Sequence, residues 1–290
     1  MDKEMLKDGI RVLLAIFIMT LANFYLPFLS VFILIIWPVP VVYMTARHDM
    51  KYSVLLIIIA AVVNGLLLGP MMGLITIIGF GFVGFVLGGS LKEGFTPLKS
   101  LLLTIGAVIV SQGLILFIAT YVFAFDINQM IEEVIKYFNN SGELSDLGEM
   151  LNIQLQMIKT IFPGMIIVSS IITGVLNYYI SLWYLHFKGI KKDKFLPVKL
   201  WRFPRWIIAA GLIVGLIYKS NPVLLNLNII LFFLVFMQGF AVGLYYIEKS
   251  RHKLFFRWLH IFGILFFPPL PVGLILTALV DMWFNLRKLG

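Results

Sequence analysis

The sequence predicts an all-α, polytopic membrane protein with about eight to ten spans, since one helical span uses about 20 residues. The chain has 290 residues, of which 61% are apolar and only 13% are charged, and its mean hydropathy is +1.00. Soluble domains are about 45–50% apolar and about 25% charged. A water-soluble fold of this length could not bury so much apolar surface.

Ten apolar runs, separated by charged or turn-forming residues, are the candidate spans. They lie at about 9–24, 28–46, 51–68, 70–90, 98–124, 160–186, 206–219, 223–247, 254–268 and 270–286. Several are short enough to be half-helices. Pro268 and Pro269 cannot both continue an unbroken helix, so 254–286 is either a hairpin or one kinked helix. The hairpin is preferred because it keeps Arg287 and Lys288 on the basic side.

Charge predicts the orientation. If the N-terminus is inside and every run crosses, all 23 basic residues except Lys136, Lys159 and Lys219 lie in inner loops or at inner span ends. Because short basic loops stay in the cytoplasm, both termini are predicted to be cytoplasmic. The net charge of +9 then reflects topology and contact with lipid headgroups, and no nucleic-acid partner is expected.

Two polar segments organise the chain. In 126–160 apolar residues recur every three or four positions, which is typical of amphipathic helices. This segment either lies on the outer membrane surface or forms a lid over an outward-facing cavity. The basic linker 187–205 separates a bundle of six spans, 1–186, from C-terminal membrane hairpins at 206–290. Lys188–Arg205 is either an inner-face topology signal or a docking surface for a membrane or cytoplasmic protein.

Glycine spacing indicates close helix packing. Small residues four positions apart allow helix backbones to approach in lipid, and they recur at Gly65, Gly69, Gly73, Gly84 and Gly88. The stretch 79–84 also matches G-x-G-x-x-G, but it lies inside an apolar run, which excludes a dinucleotide site. Trp37-Pro38-Val39-Pro40 predicts a kink within a span, where the freed carbonyls need other partners.

Polar side chains inside the apolar runs are the candidate binding residues. Asn64, Gln112 and Tyr121 fall in the outer halves of their spans, and Asn177 lies near mid-depth. Amides that converge in a cavity would bind a small, neutral, polar solute. The alternative is that they form hydrogen bonds between helices.

Asp281 is the acid that lies well inside a predicted span, and an intramembrane carboxylate is a functional candidate. Its possible partners are Arg287, water, or His260 in the preceding run.

Catalysis is not expected. The chain has no cysteine and four histidines, and those histidines lack the H-x-x-x-H or H-E-x-x-H spacing of metal sites. The sequence contains neither a Walker A motif nor G-x-S-x-G. We therefore expect no enzymatic activity, no metal or cofactor, and no ATPase within this chain.

Three stretches carry a resemblance to a known family. They are Trp37-Pro38-Val39-Pro40-Val41-Val42 with the following Thr45-Ala46-Arg47-His48, Gly69-Pro70-Met71-Met72-Gly73 with the glycine-rich run to Gly89, and Val280-Asp281-Met282-Trp283-Phe284. They resemble the YybS family, uncharacterised multi-pass membrane proteins of bacteria, over most of the chain. The resemblance implies a multi-pass protein of the bacterial cell membrane.

Residues 1–186 are also similar in length and layout to the substrate-binding S subunits of energy-coupling-factor vitamin transporters. Those are six-helix proteins with a glycine-rich middle and an outward pocket. S subunits dock their membrane partner through A-x-x-x-A in the first helix, whereas here Ala15 precedes Met19 and Ala22 precedes Leu26. The C-terminal spans have no counterpart in S subunits.

Two functions therefore remain open. The first is a solute-binding or transport component, in which 1–186 holds a small solute in its outer half and 126–160 covers it. The alternative is a non-transporting scaffold whose basic inner loops recruit a cytoplasmic partner or anionic lipid. Amides that point into a water-accessible outer cavity would favour the first, and a solid bundle packed through glycines would favour the second.

Overall fold

The computed structural model describes residues 3–124, 145–217 and 221–289, together with Gln129, Glu133 and Lys136. Within those ranges the regular structure is helical and contains no strand. The helices are α1 (Lys3–Tyr25), α2 (Ser30–Ile36), α3 (Pro38–Arg47), α4 (Met50–Leu68), α5 (Pro70–Leu74), α6 (Phe82–Lys92), α7 (Pro97–Tyr121), α8 (Ser145–Phe187), α9 (Trp206–Ile217), α10 (Pro222–Glu248), α11 (Lys253–Phe266) and α12 (Pro269–Phe284). A π-helical segment, Ile75–Gly81, joins α5 to α6.

Among the residues that the structure describes, six helices or helix pairs are long and apolar enough to cross a membrane. They are Ser30–Arg47, Met50–Leu68, Pro70–Lys92, Pro97–Tyr121, Ile153–Phe187 and Pro222–Glu248, and the bent pair α11–α12 would add a seventh. The protein is therefore a polytopic, all-α membrane protein, which confirms the predicted class. The assignment of α1 and α9 to further spans stays a prediction.

The two prolines after Trp37 do not produce a wide kink. Trp37 itself has helical backbone angles and links α2 to α3. Its indole ring is buried and packs on Phe80, with 3.5 Å between ring centroids. Pro38 begins α3 at a position where a missing N–H costs little, so this motif serves to pack the helix.

Helices α3 and α6 pack closely because glycines of α6 face α3. A Cβ atom added at Gly84 would lie 2.6 Å from Val41 Cβ, and one at Gly88 would lie 2.6 Å from Thr45 Cβ. Gly65 and Gly73 face each other across the α4–α5 turn. Four of the five predicted packing glycines thus lie against a neighbouring helix.

The structure gives Gly69 a different role. It has a φ of +97°, and a Cβ added there would have no neighbouring atom within 4 Å. Gly69 ends α4 and precedes Pro70, the first residue of α5. It is needed for the backbone of the turn, because side chains other than hydrogen are strained at positive φ.

Helix α8 includes residues from two predicted elements, the amphipathic segment and the span that follows it. From residue 145 onward, the predicted amphipathic segment 126–160 is continuous with the predicted span 160–186 in one helix. With 43 residues at about 1.5 Å each, α8 is about 64 Å long and exceeds the bilayer core. The first half of the predicted lid, including Asp126 and Glu143, lies outside the described residues apart from Gln129, Glu133 and Lys136.

The chain forms two compact units. Unit 1 comprises Met1–Asn140 and Ser169–Phe195, and unit 2 comprises Ser141–Val168 and Leu196–Gly290. The core of unit 2 joins α9, α10 and α12 through Ile207, Ile208, Leu231, Val235, Ala278 and Met282. The predicted division into 1–186, 187–205 and 206–290 stays a prediction.

Helices α11 and α12 meet at a sharp bend. The axes of Lys253–Ile264 and Pro269–Phe284 differ in direction by 109°. This angle lies between the kinked helix and the full reversal of the hairpin that the sequence left open. The physical cause is the adjacent Pro268 and Pro269, since a proline ring blocks the helical path of the preceding turn.

Candidate functional site

Asn64, the first candidate binding amide, is 1% exposed on the buried face of α4. Its Nδ2 donates hydrogen bonds to Thr20 Oγ1 at 3.1 Å and to Thr76 Oγ1 at 2.9 Å. Those hydroxyls donate in turn to the carbonyls of Ile16 and Met72. The amide therefore joins α1, α4 and the π segment, as interhelical polar contacts do in membrane proteins.

Gln112 makes a separate contact. Its Oε1 accepts hydrogen bonds from Ser169 Oγ at 3.3 Å and from Ser170 Oγ at 3.0 Å. This places the amide between α7 and the part of α8 that belongs to unit 1. Gln112 thus contributes to helix packing in that unit.

The other two candidates differ from these amides. Tyr121 is 75% exposed, and its ring packs on Phe117. Asn177 is buried, but its Oδ1 has no hydrogen-bond partner in the part of the chain that the structure describes. Across that same part, no hydrogen bond joins any two of the four candidate residues.

Asp281 forms a buried ion pair with Arg287, one of the partners that the sequence suggested. The two residues are 1% and 2% exposed, and Arg287 Nη2 lies 2.9 Å from Asp281 Oδ2. Gln238 Nε2 donates to the same oxygen at 2.6 Å. The carboxylate is therefore neutralised within unit 2.

The same network holds the chain that leads into α9. Arg287 donates to the carbonyls of Lys199 at 2.6 Å and Trp201 at 2.8 Å. Gln238 Oε1 accepts a hydrogen bond from the Phe203 amide at 2.9 Å. Breaking such a pair leaves an uncompensated buried charge, so these residues fasten the segment 199–203 to α10 and α12.

His260 occupies a different environment. Its buried ring stacks on Phe240, with 5.2 Å between centroids. A Cβ added at Gly243 would lie 2.6 Å from His260 Cε1, so that glycine makes room for the ring. Among the described residues Nε2 has no hydrogen-bond partner.

Unit 1 contains a buried acid, Asp8, that the sequence patterns did not single out. Asp8 lies just before the apolar part of α1 and is 5% exposed. Tyr43 Oη donates to Asp8 Oδ2 at 2.9 Å, and His48 Nε2 and Arg47 Nη1 each lie 3.1 Å from the same oxygen. The sequence signal that could have indicated this cluster is the spacing of Tyr43 and Arg47. They are four positions apart, so they lie on the same face of a helix.

The charge of Asp8 is stabilised by its neighbours. Burial alone would raise the pKa of the carboxyl, but hydrogen bonds from His48 and Tyr43 and the charge of Arg47 outweigh burial. The pKa therefore lies below its usual value. Arg47 also pairs with Glu4 at 3.2 Å. The cluster fastens α1 to the end of α3 as an ionised network.

Basic residues of the predicted linker divide into two groups. In unit 2, Lys199 pairs with Glu248, Arg202 donates to the Leu289 carbonyl and Arg205 donates to the Met282 carbonyl. In unit 1, the lysines at 188–194 have no carboxylate partner in the described parts of the chain. Within the described residues, the two groups therefore differ in whether they contact acceptors of their own unit.

The cavities of unit 1 are mainly apolar. One of about 230 Å³ lies between α1 and α4, and Asn64 is the polar residue in its wall. A larger groove of about 580 Å³ runs along α6 and α7. No cluster of three or more metal-ligating side chains occurs among the described residues. Among these residues, Asn64 and Gln112 form hydrogen bonds, and Asp8 and Asp281 form ion pairs.

Comparison with known proteins identifies the family. The family model described as "Predicted membrane protein (DUF2232)" matches residues 12–282. The chain belongs to the DUF2232 family. The matched range includes the α3–α6 contact and the Asp281–Gln238 hydrogen bond, whereas Arg287 lies beyond its end.

A relative confirms the resemblance stated from the motifs. The "Uncharacterized protein YybS" of Bacillus subtilis (strain 168) is 22% identical over 299 residues, and the alignment covers 96% of each chain. No solved structure matches the chain at a significant level. The similarity to S subunits stays a prediction.

Proposed function

We propose that this DUF2232 protein is a non-transporting, non-catalytic scaffold of the bacterial cytoplasmic membrane, whose lysines at 188–194 recruit an acidic cytoplasmic protein. The observation that carries the proposal is the contrast within the basic linker. Lys199, Arg202 and Arg205 have partners in unit 2, whereas the lysines at 188–194 lack carboxylate partners in the described chain. The docking surface is therefore narrower than Lys188–Arg205.

Composition and exposure support this surface. Lys188, Lys191, Lys192 and Lys194 lie within seven residues, interrupted by one acid, Asp193. Three of the four lysines are exposed, and Lys192 is half-buried. A group of like charges on an irregular segment attracts an acidic surface and accelerates its association.

The polar interior also favours a scaffold. Asn64 and Gln112 form hydrogen bonds to neighbouring helices, and α3 and α6 pack through Gly84 and Gly88. Helices joined by such hydrogen bonds and glycine contacts form a rigid support for the exposed lysines of the same unit. Both termini are proposed to be cytoplasmic because the basic segments then share that side.

The test replaces Lys188, Lys191, Lys192 and Lys194 together by glutamine. A partner identified by crosslinking to the wild type in cells is purified, and its Kd is measured against both proteins at several salt concentrations. We expect the Kd to rise about tenfold in the variant, a loss of about 1.4 kcal/mol, and wild-type binding to weaken with salt.

A matched control changes a second exposed basic group, Lys249, Arg251 and Lys253, to glutamine. This control should leave the Kd within about twofold, because salt-screened charges outside the contact contribute little. Equal losses in the two variants, or wild-type binding that ignores salt, would contradict a docking surface at 188–194.

A solute-binding function is the second candidate, and the cavity beside Asn64 favours it. The cavity lies in the bundle that the S-subunit similarity covers, although about 230 Å³ is below the usual range of about 300–1,000 Å³. In this case the purified wild type should carry a small solute in native mass spectrometry. Asn64→Ala should lower its affinity roughly tenfold to a hundredfold, since a buried polar group loses its partner.

Gln112→Ala tests whether the second amide contributes to that retention. Asn226→Ala is the control, since its amide contacts Thr160 and Gly164 within unit 2. A wild type without solute, with equal losses of stability in all three variants, would leave the scaffold as the proposed function.

A further inference from the structure

The groove along α6 and α7 in unit 1 has a lining with two distinct parts. Its walls are apolar and come from Phe82, Val86, Leu98, Leu102, Leu103 and Val110, with Gly106 and Ala107 between them. Lys99 and Thr96 line one end. The groove therefore combines a long apolar surface with a cation at its end.

Length relates the groove to the bilayer. The lining residues of α7 run from Leu98 to Val110, which at about 1.5 Å per residue is about 18 Å. One leaflet of a bilayer core is about 15 Å thick, half of about 30 Å. Because Lys99 is near the first residue of the span Pro97–Tyr121, the cation lies at headgroup depth and the apolar part extends towards the midplane.

Glycine creates the space. A Cβ added at Gly106 would have no atom within 4 Å, so this glycine is not needed for contact with another helix. Its effect is to deepen the groove beside Leu102 and Leu103. The volume of about 580 Å³ is within the range of small-molecule sites, about 300–1,000 Å³.

The cation is placed to meet an anion. Lys99 is exposed, and its Nζ lies 3.7 Å from the centroid of the Phe95 ring. It forms no ion pair within the described residues. The neighbouring Lys92 Nζ is engaged, since it donates to the His48 carbonyl at 2.6 Å.

We propose that this groove binds one anionic phospholipid, with an acyl chain along Leu102, Gly106 and Val110 and the phosphate against Lys99. A single chain in one leaflet matches both the length and the apolar lining. A partner helix would instead continue past the midplane, and it would need no cation at headgroup depth. The proposal is separate from the scaffold function and uses different residues.

The test compares lipid retention by native mass spectrometry on the full chain. Delipidated wild type is titrated with dioleoyl phosphatidylglycerol and, separately, with dioleoyl phosphatidylcholine. We expect one retained phosphatidylglycerol, bound about fivefold more tightly than phosphatidylcholine, because a basic residue near the headgroups contributes about 1 kcal/mol. Lys99→Gln should abolish this preference and retain the weaker binding.

Two glycine variants separate the groove from the helix in general. Gly106→Phe should fill the groove and abolish the retained lipid. Gly113→Phe is the matched control, because Gly113 is also on α7 and also lacks neighbours within 4 Å, yet it does not line the groove. It should bind lipid as the wild type does.

A measurement on the unchanged protein guards against misfolding of a variant. Phosphatidylglycerol with a photoreactive acyl chain should label the peptide that contains 102–110. Equal binding of the two lipids by the wild type, unchanged retention by Gly106→Phe, or labelling outside the groove would each overturn the proposal. So would a lipid-free dimer that Gly106→Phe dissociates, since the occupant would then be a second copy.

Discussion

At the scale of single residues, each unit contains a buried carboxylate that pairs with neighbouring side chains. Asp281 meets Arg287 and Gln238 in unit 2, and Asp8 meets Tyr43 and Arg47 in unit 1. A buried charge is costly without a partner. The two carboxylates therefore share the same chemistry, which is charge pairing, and their contribution to stability can be measured.

The first prediction concerns the buried ion pair. Arg287→Leu should destabilise the protein by about 3–5 kcal/mol, because Asp281 is left as an uncompensated buried charge. The double variant Asp281→Leu/Arg287→Leu should lose less than the sum of the single variants. Melting in mild detergent checks this, with Lys288→Gln, an exposed neighbour, as the neutral control. Strictly additive losses would show that the two residues do not interact.

The second prediction concerns Asp8 and pH. Because the folded-state pKa of Asp8 is lowered, its stabilisation is complete above the unfolded pKa of about 3.9 and is lost as pH falls through the folded pKa. Melting followed from pH 7 towards pH 3 should therefore decline less in Asp8→Asn than in the wild type. An identical decline would mean that other carboxyl groups account for the acid loss.

At the scale of helices, packing depends on glycines that a neighbouring backbone approaches. A Cβ at Gly84 would lie 2.8 Å from the Pro38 carbonyl oxygen, and one at Gly88 would lie 2.9 Å from that of Val42. The motif Trp37–Val42 and the glycine-rich span, which carried the family resemblance, therefore pack against each other. Their sequence patterns are two sides of one interface.

The third prediction is a comparison of two alanines. Gly84→Ala should destabilise the protein by about 1–3 kcal/mol, since the new methyl group must displace α3. Gly113→Ala, in open space on α7, should be neutral or stabilise by up to about 1 kcal/mol through helix propensity. Thermal melting of both variants decides the point, and equal effects would indicate that α3 and α6 are not in close contact.

The fourth prediction concerns the proline inside α8. Near Pro163, Asn226 Oδ1 accepts a hydrogen bond from the Gly164 amide at 2.5 Å, and its Nδ2 donates to the Thr160 carbonyl at 2.8 Å. Asn226→Leu should cost about 1–3 kcal/mol, because these backbone groups lose their partner. Asn177→Leu should cost less, since Asn177 Oδ1 is unpaired in the described chain. The reverse order in melting would contradict this assignment.

At the scale of the whole molecule, contacts within each unit bring basic segments of the chain together. In unit 1, Arg47 pairs with Glu4, and Lys92 contacts the His48 carbonyl, so three basic segments lie at one end. In unit 2, Arg287 contacts the Lys199 carbonyl, so the C-terminal segment lies beside 199. Charge alone predicts that these ends face the cytoplasm.

The fifth prediction tests that orientation in a chain that has no cysteine of its own. Single cysteines at Glu143 and Lys192 should react with an impermeant thiol reagent from opposite sides of the membrane, Glu143 from outside. The reason is that 126–160 and 187–205 are separated by one predicted span. Intact and permeabilised cells supply the comparison, and labelling of both positions from one side would overturn the span count.

The sequence by itself determined the fold class and the positions of most helices. The predicted runs 51–68, 98–124 and 223–247 correspond to helices Met50–Leu68, Pro97–Tyr121 and Pro222–Glu248. This succeeded because hydropathy is a local property, and because lipid requires each span to satisfy its own backbone hydrogen bonds. The family followed equally from local motifs.

Only the tertiary structure decided which polar groups meet and which glycines pack. From the sequence, Asp281 could have paired with Arg287, His260 or water. Asn64 could equally have faced a solute, but in the structure it donates to Thr20 and Thr76. Gly69 and Gly84 share the same spacing signal, yet one makes a turn and the other an interface. Periodicity specifies the face of a helix on which a residue lies, but the partner on that face is set by how neighbouring helices pack.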